Sequence, residues 1–240
     1  MKTSHKLLVS LAIGSTALVV MAQQAAPTQS QLLLKLDDFA GLHRYAAANA
    51  TLAPMQKGRV VFFGDSITDA WVSNGGTFFP GKPYVNRGIS GQTTPQMLVR
   101  FRQDVIDLHP EAVVILAGTN DIAGNTGPST LEMIEDNLRS MAELAQANHI
   151  HVILATVLPA ADYPWRKGLE PAPKIKALNQ WMANYCAEKK ITYLDYYSSM
   201  ADEAGGMKPD ISKDGVHPNA AGYAIMEPLA QKAIDKALHK

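Results

Sequence analysis

A single cysteine, Cys186, occurs among the 240 residues, and the chain carries no net charge at pH 7. One thiol cannot form a disulfide within the chain, and no cysteine lies near the N-terminus to carry a lipid. Cys186 lies in a segment with helical periodicity and no nearby histidine, which predicts a buried, inert side chain. The balanced charge leaves no basic face, so no nucleic-acid partner is expected.

A long uncharged apolar run is also missing. The stretch over residues 7–20 is too short, and too rich in serine, threonine and glycine, for a membrane span. Lys2 and Lys6 precede it and small residues follow it, which is the pattern of an export signal. We therefore expect residues 1–22 to be a signal peptide cleaved near Ala22, leaving a periplasmic or secreted protein without a stable membrane anchor.

The length and an apolar content of 47% suit one domain of α/β class. Residues 23–57 are expected to form a polar lead-in followed by a helix over residues 32–53, which Pro54 ends. Residues 58–240 are expected to form the main domain, without an internal repeat or an interdomain linker.

Short apolar runs alternate with amphipathic segments through this domain. The runs predicted as strands are residues 60–63, 84–85, 112–117, 151–157 and 191–194. Several are apolar throughout, which is typical of a parallel sheet covered on both faces. The alternation predicts right-handed crossovers and an open five-stranded parallel sheet, with the functional site at the carboxyl ends of its strands.

Cap signals and apolar stripes indicate where the longer helices lie. Thr94-Pro95 is expected to start one helix, and Ser129 with Glu132 to form the capping box of the next. Two more helices are expected around residues 175–185 and over residues 220–238, each with one apolar face for the core.

The segment Gly64-Asp65-Ser66 directly follows the first predicted strand. A serine at the start of a helix has a free backbone N–H and lies at the positive end of the helix, and both stabilise a developing oxyanion. A serine in this position also suits a plain helix cap, so this motif alone leaves both roles open.

Further polar residues follow in chain order, each with a structural alternative. Asp214 lies three residues before His217, a spacing that allows a hydrogen bond to one ring nitrogen while the other nitrogen faces a serine. Asn120 could donate its amide to an oxyanion or satisfy its own turn. Gly88 could admit a substrate to its backbone N–H or serve as a turn glycine. With Ser66, these residues suffice for acyl transfer to water.

Gly64-Asp65-Ser66-Ile67, Gly88, Gly118-Thr119-Asn120-Asp121 and the Asp214–His217 pair together resemble the blocks of the SGNH hydrolases, the GDSL-type esterases and lipases. The resemblance covers about residues 58–236, and Ile67 stands where the family has leucine. It implies a flavodoxin-like three-layer α/β/α sandwich for residues 58–240, which would form the SGNH hydrolase domain.

The resemblance also implies a role for each matched residue. Ser66 would be the nucleophile, His217 the general base and Asp214 the partner that orients it. The backbone N–H groups of Ser66 and Gly88 and the side chain of Asn120 would form the oxyanion hole.

No metal or cofactor is implied by the resemblance. His149 and His151 lie two apart and lack a third ligand, so a surface pair is expected rather than a zinc site. Asp65, Asp69 and Asp121 are expected to accept hydrogen bonds that hold loops, not to shuttle protons.

The sequence says less about which ester is cleaved than about the type of reaction. Trp71, Tyr163 and Trp165 are candidates for a substrate rim that stacks on a sugar or walls a small acyl pocket, with ordinary packing as the alternative. The lack of a long lid insertion favours short acyl groups, above all acetyl, and export favours an O-acetylated carbohydrate. The alternatives are a lysophospholipase-like or thioesterase-like lipid acyl hydrolase and an inactive carbohydrate-binding module. A flavin or nucleotide binder, suggested by the fold alone, lacks the glycine-rich loop.

Overall fold

The computed structural model describes residues 37–54 and 56–239. The expected signal peptide and the first residues of the expected N-terminal helix lie outside the described residues. The fold described here is that of the compact unit that begins at Asp38. Within the described residues, no helix is both long enough and apolar enough to cross a membrane.

Five parallel strands form the centre of the fold, in the spatial order β2-β1-β3-β4-β5. They are β1 (Val60–Gly64), β2 (Tyr84–Gly88), β3 (Ala112–Leu116), β4 (His151–Ala155) and β5 (Thr192–Leu194). This is the flavodoxin-like order of a doubly wound sheet, so the predicted five-stranded parallel sheet is confirmed. The register places Gly64 beside both Gly88 and Leu116, which brings the ends of three strands to one edge.

Successive residues of the central strands pack into two separate cores because side chains alternate across a sheet. Val61 and Phe63 face one core, and Val60 and Phe62 face the other. Every residue of β1 and β3 is buried, as expected for strands covered on both faces.

Helices cover both faces of the sheet. Helices α3 (Thr94–Asp104), α5 (Leu131–Ala147) and α6 (Ala172–Lys189) pack on the first core, and α8 (Ala220–Leu238) packs on the second. The short helices α1 (Ala46–Ala50), α2 (Ser66–Asp69), α4 (Thr119–Ile122) and α7 (Tyr197–Met200) lie in the connections, with 3₁₀ turns at Ile106–Leu108 and Pro209–Ile211.

The helix caps differ from the sequence prediction by one residue. Thr93 forms the capping box of α3 with Gln96, and Pro95 lies in the first turn. For α5 the cap is Thr130, not Ser129, because the Thr130 side chain accepts the N–H of Met133. Both caps still satisfy a backbone donor that the first helical turn leaves free.

The predicted helix over residues 32–53 is not continuous in its described part. Asp37 is helical, residues 38–45 are turns apart from Gly41, and regular helix resumes only in α1. The Asp38 carboxylate accepts the N–H groups of Leu42 and His43, which replaces helical hydrogen bonding with a side-chain turn. Gly41 has φ +68°, a left-handed conformation that ends a helix.

A fully buried guanidinium lies beneath the carboxyl ends of β1 and β2. Arg100 of α3 donates to the carbonyls of Gly64 (3.1 Å) and Arg87 (2.9 Å). It also donates to the Gln92 side chain in the loop after β2 (2.6 Å) and to Asp104 (3.0 Å). Neither Arg100 nor Asp104 exposes its side chain to solvent, so the charges depend on these bonds.

Replacing Arg100 with methionine should lower the free energy of unfolding by about 3–5 kcal/mol, because Asp104 would keep a buried charge without its partner. Urea unfolding measures the change. Arg102→Met is the matched control, since Arg102 is exposed on the same helix and lies 3.9 Å from Asp107. Its effect should stay within about 0.5 kcal/mol. Equal losses in the two variants would contradict the role given to Arg100.

Candidate active site

Ser66 begins helix α2 immediately after β1. Asp65 caps this helix, and its Oδ1 accepts the N–H of Ile67 at 3.0 Å. The backbone N–H of Ser66 makes no hydrogen bond to another described residue, as is usual in a first helical turn. Ser66 therefore combines a partly exposed hydroxyl with a free backbone donor at the positive end of a helix.

A continuous hydrogen-bonded series joins Ser66 to the loop before α8. Ser66 Oγ lies 2.9 Å from Nε2 of His217, and His217 Nδ1 lies 2.6 Å from Oδ2 of Asp214. The other carboxylate oxygen of Asp214 accepts the backbone N–H groups of Val216 (3.0 Å) and His217 (2.8 Å). This is the geometry in which a histidine can take a proton from a serine while a carboxylate fixes its ring.

The Asp214 carboxylate remains ionised over nearly the whole pH range. Partial burial opposes its charge, but the hydrogen bonds from the His217 side chain and from the backbone outweigh burial and lower the pKa of Asp214 to about 2. An ionised Asp214 keeps the proton of the imidazole on Nδ1, which leaves Nε2 free to accept from Ser66.

Asn120, on α4 at the end of β3, presents its side chain to the same cavity. Its Nδ2 donates one proton to the carbonyl of Gln92 at 3.0 Å, and its Oδ1 accepts from Nδ2 of Asn125 at 2.8 Å. These two bonds fix the direction of the amide. The second proton of Nδ2 has no acceptor among the described residues.

Gly88 does not offer the free backbone N–H that the resemblance implies for it. Its N–H donates to Oδ1 of Asn86 (2.9 Å), and a Cβ at this position would lie 2.1 Å from the backbone nitrogen of Asp69. Glycine is needed there because α2 packs directly against β2, so the free-donor role fails.

Gly91, three residues farther along, lines the cavity instead. It has φ +79°, and its N–H makes no hydrogen bond to another described residue. The feature of the sequence that could have identified Gly91 as a donor is its position in the loop after the strand, where the sheet does not use the backbone N–H groups.

The cavity around Ser66 has a volume of about 1100 Å³. Its lining side chains are mostly small or polar, apart from one aromatic ring. They are Ser66, Ala70, Ser73, Asn74, Gly75, Ser90, Gly91, Asn120, Asn125, Trp165, Lys213, Asp214, His217, Pro218, Asn219 and Ala220.

Of the three predicted rim aromatics, only Trp165 is exposed at the cavity, with 45% of its surface accessible. Tyr163 is fully buried beneath it. The two rings stack with centroids 5.1 Å apart, and the Tyr163 hydroxyl lies 3.0 Å from that of Thr119. Trp71 does not belong to the rim, contrary to the prediction from the sequence. It is 1% exposed and packs on Tyr223 in the second core, because the first turns after Ser66 direct it inward.

The three aspartates expected to hold loops do accept such hydrogen bonds. Asp121 accepts the N–H and hydroxyl of Thr94, and Asp69 accepts both donors of Ser90. Asp65 is fully buried, and its Oδ2 has no partner among the described residues. Burial raises the pKa of Asp65 to about 7.

The two histidines considered for a metal lie at the opposite edge of the sheet. His151 begins β4 and His149 precedes it, both beside Lys190 in a separate cavity. Within residues 37–54 and 56–239, no group of three or more histidine, cysteine, aspartate or glutamate side chains could hold a metal ion.

The chain is similar to known lipases and esterases over most of its length. The model of the GDSL-like lipase/acylhydrolase family matches residues 62–225. A GDSL-like lipase from Bacteroides thetaiotaomicron has 50% sequence identity, and its crystal structure matches with a TM-score of 0.80, covering 83% of this chain and 100% of that chain.

Two curated relatives are more distant. Esterase TesA of Pseudomonas aeruginosa is 27% identical, over 87% of this chain and 88% of that protein. An acetylxylan esterase of Geobacillus stearothermophilus is 25% identical, over 70% of this chain and 90% of that protein. Together with the family match, these relatives confirm the resemblance drawn from the sequence blocks.

Asp65→Asn should remove a pH dependence of stability. Between the pKa of an unfolded aspartate, about 3.9, and the pKa of about 7 in the folded protein, only the folded state keeps the proton. Stability should therefore fall as pH rises through this window, by at most about 1.4 kcal/mol for each pH unit. Urea unfolding at pH 5 and pH 8 should show a smaller difference in the variant than in the wild type.

Asp107→Asn is the matched control, because Asp107 is a surface carboxylate with 58% of its side chain exposed. It should keep the pH dependence of the wild type. If Asp65→Asn keeps it as well, the Asp65 carboxyl does not titrate in this window.

Proposed function

Because this chain belongs to the GDSL-like lipase/acylhydrolase family, we propose that it hydrolyses carboxylic esters through an acyl-enzyme on Ser66, with short acyl groups, above all acetyl. The observation that carries the proposal is the unbroken series from Ser66 Oγ through His217 to Asp214. A serine so placed is activated by its adjacent base, and the base is oriented by its carboxylate.

In the first step, His217 Nε2 takes the hydroxyl proton as Ser66 Oγ attacks the ester carbonyl. Asp214 stabilises the imidazolium that results. The carbonyl oxygen becomes an oxyanion, and His217 returns the proton to the departing alcohol as the tetrahedral intermediate collapses. Water, deprotonated by the same histidine, then attacks the acyl-serine. As the second tetrahedral intermediate collapses, the acid leaves and His217 returns the proton to Ser66 Oγ.

Three donors from three different strand ends would stabilise the oxyanion. They are the backbone N–H groups of Ser66 and Gly91 and the Nδ2 of Asn120, none of which spends this proton on another described residue. Gly91 takes the role that the sequence analysis gave to Gly88. Fixed donors of this kind act most strongly on charge that develops only in the transition state.

The lining of the cavity supports a short acyl group and a polar alcohol. Small and polar side chains surround Ser66, and Trp165 offers a half-exposed ring of the kind that stacks on a sugar. The acetylxylan esterase among the relatives is named for an acetylated carbohydrate. An O-acetylated carbohydrate is therefore the substrate class we propose.

A lipid ester is the second candidate, favoured by one observation. The cavity of about 1100 Å³ is open and larger than an acetyl group needs. An inactive carbohydrate-binding module is less compatible with the arrangement, because the hydrogen bonds of Ser66, His217 and Asp214 are all made. We also propose that the protein is exported, on the strength of the charged, apolar and small-residue pattern of residues 1–22.

Hydrolysis of p-nitrophenyl esters from acetyl to palmitoyl tests both the chemistry and the acyl length. The wild type should be fastest on acetyl and butyryl esters. Ser66→Ala should lose turnover through the acyl-enzyme with every ester. Rates that rise steadily toward palmitoyl would move the substrate to lipids. Activity that survives in Ser66→Ala would remove Ser66 as nucleophile.

Asn120→Ala should reduce kcat by about 10²–10³ with little change in KM, because the lost donor acts on the oxyanion and not on the bound ester. Steady-state kinetics with p-nitrophenyl acetate give both constants. Asn148→Ala is the matched control, since Asn148 is an exposed asparagine outside the cavity whose Nδ2 donates to the carbonyl of Leu144. An unchanged kcat in Asn120→Ala would remove Asn120 from the oxyanion hole.

A further inference from the structure

Asn125 lies in the loop after α4 and uses its side chain entirely on neighbours that border the cavity. Its Nδ2 donates to Oδ1 of Asn120 at 2.8 Å and to the carbonyl of Gly91 at 3.3 Å. Its Oδ1 accepts the indole N–H of Trp165 at 3.2 Å. One amide therefore contacts two of the three residues that supply the proposed oxyanion donors, through the Oδ1 of Asn120 and the carbonyl of Gly91, and the exposed aromatic ring of the rim.

The bond to Asn120 decides which end of the Asn120 amide faces the ester. The Gln92 carbonyl holds Nδ2 of Asn120, and Asn125 holds its Oδ1, so together they permit a single orientation. If the amide turned over, its oxygen would face the oxyanion and repel it. Asn125 thus opposes the orientation that would abolish the donor.

The bond from Trp165 gives Asn125 its own orientation. With Oδ1 of Asn125 accepting from the indole, Nδ2 must point toward Asn120 and Gly91. The Trp165 loop is itself fastened, because Arg166 donates to the carbonyls of Ala123 (2.7 Å) and Gly124 (2.8 Å) just before Asn125. The rim and the oxyanion donors are parts of one hydrogen-bonded unit.

We infer that Asn125 is a positioning residue for the oxyanion hole and that it links the Trp165 rim to the Asn120 donor. This inference rests on the proposed function. It predicts that Asn125 affects the stabilisation of the transition state without contributing to ground-state binding of a small ester.

Asn125→Ala should lower kcat for p-nitrophenyl acetate about tenfold with KM almost unchanged, the size expected for one lost orienting hydrogen bond. In an Asn120→Ala background the same substitution should cost less than about threefold, because the group that it positions is already gone. Full, multiplicative losses in the double variant would overturn the inference.

Asn125→Asp distinguishes a positioning role of the Asn125 side chain from a space-filling one. Aspartate has the same shape and still accepts from Trp165, but it offers an oxygen where Asn120 Oδ1 needs a donor, and it adds negative charge beside the developing oxyanion. We expect a loss of about 10²-fold, greater than that of alanine. A merely space-filling side chain would make aspartate the milder change, and that order would overturn the inference.

Trp165→Phe keeps a ring over Tyr163 and removes the indole donor, together with part of the ring surface that lies 6.0 Å from the His217 ring. It should lower kcat by about two- to fivefold in the wild type and by a clearly smaller factor in an Asn125→Ala background, where the bond to Asn125 is already gone. An equal effect in both backgrounds would overturn the link between the rim and Asn125.

The controls keep the two proposals apart. Asn148→Ala, which removes an exposed amide outside the cavity, should retain wild-type kcat, and thermal unfolding should show that all variants remain folded. Ser66-dependent turnover with an unaffected Asn125→Ala variant overturns the role of Asn125 alone. Turnover that does not depend on Ser66 overturns the proposed function and, with it, this inference.

Discussion

The buried guanidinium of Arg100 is the interaction on which the geometry of the site depends. It joins the carbonyl of Gly64, the last residue of β1, to that of Arg87 near the end of β2, and it fastens the loop that carries Gly91 through the Gln92 side chain. A charge taken fully out of water is stable only when its donors are used and a countercharge is adjacent, and Asp104 supplies that charge. The same helix begins at Thr94, whose N–H and hydroxyl bind Asp121 beside Asn120. Helix α3 thus ties three strand ends into one edge.

Two carboxyl groups close to Ser66 have pKa values that their surroundings shift in opposite directions. Asp214 is partly exposed, but it accepts hydrogen bonds from the His217 ring and from the backbone N–H groups of Val216 and His217, and its pKa falls to about 2. Asp65 is buried with one oxygen unpaired, and its pKa rises to about 7. Through most of the acid range Asp214 is therefore charged while Asp65 keeps its proton. Only the former can orient an imidazole by ion pairing, although both lie near the same histidine.

The framework of the fold was predictable because it follows from patterns repeated along the chain. Apolar β-branched runs marked all five strands, and the blocks that carry the candidate site residues came directly after them or before the last helix.

The features that the sequence did not reveal depend on three-dimensional packing. Gly88 and Gly91 are alike in the sequence, and only the approach of Asp69 to Gly88 shows which one must be glycine for packing. Trp71 looked like a rim residue because position in the chain does not reveal the direction of a side chain. The break in the helix expected over residues 32–53 comes from Asp38 competing for backbone donors, a local effect that periodicity does not record.

Acyl-chain selectivity in the proposed reaction would arise from the packing behind the cavity wall more than from its lining. Ala70, Ser73, Asn74 and Gly75 form one side of the cavity, and Gly75 packs closely against Ala220 of α8. Trp71, which follows Ala70 in the chain, is buried against Phe62, Phe79 and Tyr223 with ring centroids 4.8–5.7 Å apart. A longer acyl chain directed past Ala70 would have to intrude on these close-packed rings, and inserting extra atoms into a well-packed core costs about 1–3 kcal/mol. In the proposed reaction this interior aromatic cluster would oppose long chains on this side, whereas Trp165 is exposed at the rim of the cavity.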